Sequence, residues 1–150
     1  MGITAKRRRK RRAPAVRGWT RASANALLRR VENMFHHRDV EALVSGFTPD
    51  CVVRFAEQPE QRGRAALRTF LAARLARQKD YTLKKTLMAL DADVLANLWE
   101  GTWEDAKTGK RMAGRGLEVW RMRDGMIAVW EAAFNVWERR RSMLASMRSR

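Results

Sequence analysis

The sequence predicts an α+β domain, with helices in its first half and a contiguous antiparallel sheet in its second. Three observations carry this. Apolar residues recur at helical spacing between residues 20 and 78. Beyond Asp80, four long strand-like runs are separated only by short polar turns. The last of those turns is Asp124-Gly125, the strongest short-range hairpin signal a sequence carries.

The elements follow in order. Leu27, Leu28, Val31, Met34 and Phe35 form one stripe of an amphipathic helix over 20–37, which Thr20 or Ser23 can cap. His36 and His37 end it, where the helix dipole favours them as capping groups. Asp39 is the expected N-cap of a second, short helix carrying Val40, Leu43, Val44 and Phe47, which Thr48-Pro49 ends. Cys51 to Ala56 is a short strand, and Glu57 to Gly63 a turn with a ragged second strand. Arg64 to Gln78 is a third helix with Leu67, Phe70, Leu71 and Leu75 on one side. The four long strands are Tyr81–Leu90, Val94–Asp105, Arg111–Arg123 and Met126–Trp137. A long curved sheet wrapped around helices leaves a pocket between them.

At 150 residues and 45% hydrophobic composition the chain is one domain with material for a real core. No apolar run approaches the roughly 18 residues of a membrane span. Cys51 is the only cysteine, so no intrachain disulfide forms, which fits a reducing, cytoplasmic compartment. The net charge of +16 is unevenly placed. Lys6 to Arg12 (KRRRKRR) hold +7, and Arg139, Arg140, Arg141, Arg148 and Arg150 hold +5. The expected organisation is a disordered basic tail over 1–18, a folded domain over 19–138 and a second basic tail over 139–150. The first tail is either a solubilising arm or a nonspecific contact to phosphates or anionic lipid, nucleic acid included, through residues 6–12. It lacks the apolar stretch of a secretory signal, although an Arg-rich, acid-free start also suits a transit peptide.

Counting outward from Asp124-Gly125 pairs Arg123 with Met126, Met122 with Ile127, Trp120 with Val129 and Glu118 with Glu131. Two carboxylates then stand opposite each other, with Cβ atoms roughly 5 Å apart, where like charges need a shared proton, a cation or a substrate. The other face, with Leu117, Val119, Trp130 and Phe134, is expected to be convex and to meet a second copy of the chain. A one-residue slip would put the two glutamates on opposite faces.

The order of elements and a string of short motifs resemble the SnoaL-like branch of the nuclear transport factor 2-like superfamily. The motifs are Pro49-Asp50, Arg54, Gly63-Arg64, Phe70-Leu71, Tyr81-x-Leu83-x-Lys85, Trp103-x-Asp105, Gly116-x-Glu118-x-Trp120, Asp124-Gly125 and Glu131-Ala132-x-x-Asn135. Within that branch the nearest resemblance is to a family of small, uncharacterised bacterial proteins. The resemblance implies a cone-shaped fold: three N-terminal helices packed on a curved, mostly antiparallel sheet with a central pocket. The superfamily holds polyketide cyclases, steroid isomerases, a dehydratase and an epoxide hydrolase, besides many non-catalytic binding and dimerisation modules. Glu131 falls where SnoaL-like proteins often carry a pocket aspartate after a tryptophan. The histidine that partners it in the cyclases is absent from the strand over 111–123.

Glu118 and Glu131 are therefore the candidate catalytic residues. One neutral and one ionised carboxyl in a shielded pocket form a proton-transfer pair at neutral pH. The alternative is a structural network in which Arg54, Lys85 or Arg115 holds them. Candidate ligand contacts are Arg54, as a carboxylate clamp, Trp103 and Trp120, as aromatic walls, and Asn135, which shares parity with Glu131. No metal-ligand spacing occurs, although Glu118, Glu131 and a histidine are a conceivable improvised site, and no cofactor is called for. Gly114-x-Gly116 lies inside a strand and eases its curvature rather than cradling phosphate. The expected ligand is a small, mostly apolar molecule with a polar or carbonyl end. The expected chemistry is of the isomerase, cyclase or hydrolase kind. Such chemistry requires a pocket of a few hundred Å³ containing both carboxylates.

Overall fold

The computed structural model describes residues 18–139. Apart from Gly18 and Arg139, the two expected basic tails, KRRRKRR included, lie outside those residues. The elements run α1 Arg21–His36, α2 Val40–Ser45, β1 Phe47–Phe55, β2 Gln61–Arg62, α3 Gly63–Arg77, β3 Gln78–Asp91, β4 Val94–Asp105, β5 Arg111–Arg123 and β6 Met126–Glu138. They form one sheet of order β2-β1-β6-β5-β4-β3, antiparallel throughout except where β1 runs parallel to β6. Three helices pack on one face of this curved sheet, giving the cone-shaped α+β fold.

Local chemistry explains most boundaries. Thr20 and Ser23 exchange caps at the start of α1: each side chain accepts the other's backbone N–H, at 3.1 and 2.9 Å. His37 Nδ1 lies 2.9 Å from the Asn33 carbonyl at the other end. The α1 stripe of Ala24, Leu27, Leu28, Val31 and Phe35 is buried against the sheet, each larger side chain stabilising by about 1.5–3 kcal/mol. Asp39 caps α2 by accepting the Ala42 N–H at 2.9 Å. That helix is shorter than its apolar stripe suggests. It stops at Ser45, and Phe47 opens β1 instead. Pro49 therefore falls inside a strand, in the stretch between Phe47 and Val52 where β1 is out of step with β6 and a missing N–H costs no ladder bond.

One edge of the sheet is β3. At its midpoint Arg29 of α1 donates to the Lys85 carbonyl, and Glu32 accepts the Lys85 N–H. Arg29 and Glu32 are themselves paired at 2.9 Å. Two side chains of α1 thus occupy the peptide groups that an edge strand leaves open.

Candidate functional site

The site is fixed by the β5–β6 hairpin. Asp124 and Gly125 both have positive φ, 52° and 76°, as a two-residue primed turn requires. Arg123 pairs with Met126 and Met122 with Ile127, as expected from the sequence. The next pair is Arg121 with Val129. Ala128 is an extra residue, a β-bulge, and it shifts everything beyond it by one. Trp120 faces Trp130, Val119 faces Glu131, and Glu118 faces Ala132. The expected Glu118–Glu131 pair is thereby corrected: the two carboxylates stand on opposite faces of the sheet.

Glu118 faces inward. It is 3% exposed and accepts hydrogen bonds from Lys85 Nζ at 2.6 Å and from the Trp120 indole N–H at 3.0 Å, both on Oε2. Lys85 is 2% exposed, and its Nζ also reaches Asn97 Oδ1 at 3.3 Å and lies 5.1 Å from the Trp120 ring centroid. Alternation puts Tyr81, Lys85 and Leu87 on the concave side of β3, and Leu95, Asn97, Trp99 and Trp103 on that of β4. Burial pushes the Lys85 ammonium below its ordinary range, and the nearby Arg74 charge adds to this, while the Glu118 carboxylate pulls it back up. Asn97 is fully buried, and its Nδ2 has no partner among the described residues.

Glu131 faces outward. It accepts from Arg54 at 3.1 Å, and Arg54 also donates to Glu60 at 2.8 Å. The Arg54 and Glu131 side chains are 50% and 42% exposed, so Arg54 clamps its own neighbours rather than a ligand inside the cone. Asn135 follows Glu131 by parity onto the same face, opposite Arg115, and is exposed. The bulge has the reverse effect on Trp130, Ala132 and Phe134. Expected on the convex face, Trp130 and Ala132 are buried in the core and Phe134 packs against it. The convex face instead carries Leu98, Leu117, Val119 and Val129, with Leu117 54% exposed.

Two spaces open on the concave face. The first is a small apolar cavity of about 40 Å³ between the three helices and the sheet, with Lys85, Trp120 and Trp130 in its wall. It has room for about one water rather than the few hundred Å³ that a small-molecule pocket offers. The second is an open groove of about 480 Å³ at the opposite end of the strands, between α3 and the ends of β1, β4 and β6. Trp103 lines it, as do Phe55, Phe70 and Phe134, and Arg74 of α3 reaches into it. Gly114 makes room here: a Cβ on it would lie 2.7 Å from the Trp99 ring and 3.2 Å from that of Trp103. Of the expected site residues, the cone interior brings Glu118 and Trp120 together and holds Trp103 at its other end, and it excludes Glu131, Arg54 and Asn135.

Asn97 and Arg74 are not expected here from the sequence, and Lys85 is expected as an ion-pair partner and as part of the Tyr81-x-Leu83-x-Lys85 motif. Each carried a signal. Asn97 interrupts the apolar alternation of β4. Arg74 continues the Leu67, Phe70, Leu71 stripe of α3 at helical spacing, and Lys85 shares parity with Tyr81 and Leu87. Cys51 is buried, and burial raises its thiol pKa, which leaves it an unreactive core residue. Among the described residues no group of three or more His, Cys, Asp or Glu is placed to hold a metal ion. No helix there is long and apolar enough to cross a membrane.

Comparison with known proteins agrees with this architecture. A candidate polyketide cyclase from Xanthomonas campestris pv. campestris superimposes with a TM-score of 0.66 at 20% identity, covering 75% of this chain and 90% of its own. SalBIII, an epoxide hydrolase/cyclase-like enzyme of pyran ring formation in the polyether salinomycin, gives 0.67 at 17% identity, covering 77% and 97%. A nuclear transport factor 2-like protein of unknown function from Exiguobacterium sp. 255-15 gives 0.63 at 20%, covering 72% and 97%. At these identities the likeness is one of fold. No curated protein sequence matches. The SnoaL-like domain family matches residues 28–130, which is more than half of the chain and spans the concave face from α1 to Trp130. The chain therefore belongs to the SnoaL-like domain family.

Proposed function

We propose that this chain binds a small, mostly apolar molecule with a carbonyl end on its concave face, and that Glu118 is the acid–base group of an isomerase, cyclase or hydrolase reaction there. The observation that carries this reading is the Lys85–Glu118–Asn97 constellation, three polar side chains each at most 3% exposed in a mostly apolar interior. Buried ion pairs add little net stability, so physics gives weak grounds for one in a core this small. Perturbed, desolvated titratable groups gather instead where proton transfer is needed. Lys85 and the Trp120 N–H hold one carboxylate oxygen of Glu118, leaving Oε1 without a donor among the described residues. Glu118 itself lines neither the cavity nor the groove, so a ligand reaches Oε1 only if the 40 Å³ cavity, whose wall holds its partners Lys85 and Trp120, widens toward it. The two-glutamate mechanism and its pocket of a few hundred Å³ are excluded, because the bulge separates the pair and the cavity beside Lys85 holds only about 40 Å³.

The test is proton exchange beside a carbonyl. 2-Tetralone in deuterated buffer is followed by proton NMR with the wild-type chain and with Glu118→Gln. Supported chemistry means exchange accelerated by the wild type and reduced at least about 100-fold in the variant. Acceleration that Glu118→Gln leaves unchanged refutes the role of Glu118.

The small volume of the cavity favours a second reading, a ligand-binding or dimerisation module without chemistry. It expects saturable ketone binding with no exchange. The exposed Leu117, flanked by Leu98 and Val119, supports a homodimer through the convex face. Leu117→Glu then yields a monomer by sedimentation, and an unchanged sedimentation coefficient removes that interface. A nonspecific nucleic-acid contact through residues 6–12 remains a proposal on charge alone. It expects binding that weakens steeply with salt and vanishes when residues 1–18 are removed.

A further inference from the structure

We infer that the open groove beside Trp103 takes an aryl or alkyl carboxylate, with Arg74 as the cation that receives the carboxylate group. This rests on the reading of the concave face as a ligand site and adds the charge of the ligand. Arg74 has five N–H donors. It uses one on Gln78 Oε1 at 3.1 Å and one on the Tyr81 hydroxyl at 3.2 Å. No carboxylate pairs with it among the described residues, whereas on the same helix Arg68 is paired with Glu41 at 2.6 Å and Arg77 with Asp105 at 2.9 Å. The guanidinium is held in place by rings instead. Its Cζ lies 4.6 Å from the Phe55 centroid, 5.5 Å from that of Phe35 and 5.6 Å from that of Tyr81.

A partly buried, oriented cation with spare donors facing a roomy groove is preorganised for an anion. The groove itself selects which anion. Phe70, Met112 and Phe134 supply apolar wall for a hydrophobic body. The charge is singular, because Arg77 is already neutralised by Asp105 at the rim. A monoanion is balanced by Arg74, whereas a phosphate dianion meets the Asp105 carboxylate with one charge left over. The flat fork of a guanidinium also matches a carboxylate with two parallel hydrogen bonds.

The test titrates 2-naphthoate and its neutral isostere 2-naphthamide, with inorganic phosphate as control. The full-length chain is used, and the Trp103 indole N–H is followed by NMR. The expected result is naphthoate binding at least about tenfold tighter than the amide, from one charge-assisted contact. Phosphate leaves the signal unmoved. Arg74→Gln removes the preference and leaves amide affinity within about twofold, since the apolar walls are untouched. Arg74→Lys, which keeps the charge and loses the fork, retains part of the preference and serves if Arg74→Gln does not fold. Equal affinity for the two probes in the wild type, a preference that survives Arg74→Gln, or phosphate competition each overturns the inference while amide binding still supports a ligand site. Binding of neither probe overturns both.

Discussion

Replacing Glu118 by Gln leaves the Lys85 ammonium 2% exposed and deprived of its carboxylate at 2.6 Å. Removing one partner of a buried ion pair costs about 3–5 kcal/mol, because the remaining charge stays desolvated. In a domain of this size each kcal/mol moves Tm by roughly 3–5 °C, so the single variant melts roughly 9–25 °C below the wild type. The double variant Lys85→Met/Glu118→Leu removes both charges and keeps the volume. It is expected to be neutral or to gain about 1–4 kcal/mol. The pH dependence separates charge from packing. Because the folded-state pKa of Lys85 is below its ordinary 10.5, the native state binds fewer protons than the unfolded state in the window beneath 10.5. Wild-type stability therefore gains a rising component as pH climbs toward 10.5, and the double variant lacks it. The Glu118→Gln penalty shrinks at lower pH than this window, because without the carboxylate the lysine loses its proton sooner and a neutral amine is cheaper to bury. Urea unfolding followed by circular dichroism at several pH values measures all of this. A Glu118→Gln variant within about 0.5 kcal/mol of the wild type, or a double variant as unstable as the single one, would show that no buried ion pair is present.

Three further outcomes are expected. Gly116→Ala places a Cβ 2.3 Å from that of Phe134 and 2.4 Å from the Ala133 carbonyl oxygen, which no rotamer relieves; calorimetry should find it destabilised by about 1–3 kcal/mol, and a neutral result would remove that close approach. Asp105 is pushed up by burial, but the Arg77 guanidinium and the N–H groups of Lys107 and Thr108 outweigh this and hold it below its ordinary 3.8. Its stabilising contribution is therefore present at neutral pH and lost as pH falls through the region below 3.8, so acid unfolding of Asp105→Asn should show a shallower pH dependence than that of the wild type. Arg54→Ala, by contrast, breaks a half-exposed ion pair with Glu131 and should shift the urea midpoint by less than about 1 kcal/mol in equivalent stability; a larger loss would mean that this pair is shielded by another surface.

Much of the architecture was legible because its signals are local. The bounds of β4 and β5 follow from alternation and turn residues, and the Asp124-Gly125 turn and the Thr20/Ser23 cap follow from side-chain chemistry within a few residues. What escaped depends on distant partners. Phe47 continues the apolar stripe of α2, yet it belongs to β1 because β6, some eighty residues later, offers it Ile127 as a parallel neighbour. Ala128 carries no mark of a bulge, since any small residue satisfies that position, and its single extra Cα decided the fate of both glutamates. Lys85 is one of three basic residues that local sequence offers as a partner for the glutamates, and only the pairing of β3, β4 and β5 selects it over Arg54 and Arg115. The surroundings of Arg74 are set by Phe35, Phe55 and Tyr81, which come from three other elements and meet it only in the fold.

The contact between Arg29, Glu32 and the Lys85 peptide has a bearing on how such chains assemble. An open strand edge is a template on which a foreign strand can register, the first step toward swapped dimers and fibrils. Here an incoming strand at the middle of β3 must first displace an ion pair anchored on α1, and the opposite margin of the sheet, β2, offers only two residues of ladder. Growth of the sheet sideways is thus discouraged at the middle of β3 and along β2. The same latch makes α1 the guardian of solubility: a variant that loosens the helix at Arg29 or Glu32 exposes ladder groups before it exposes much apolar core.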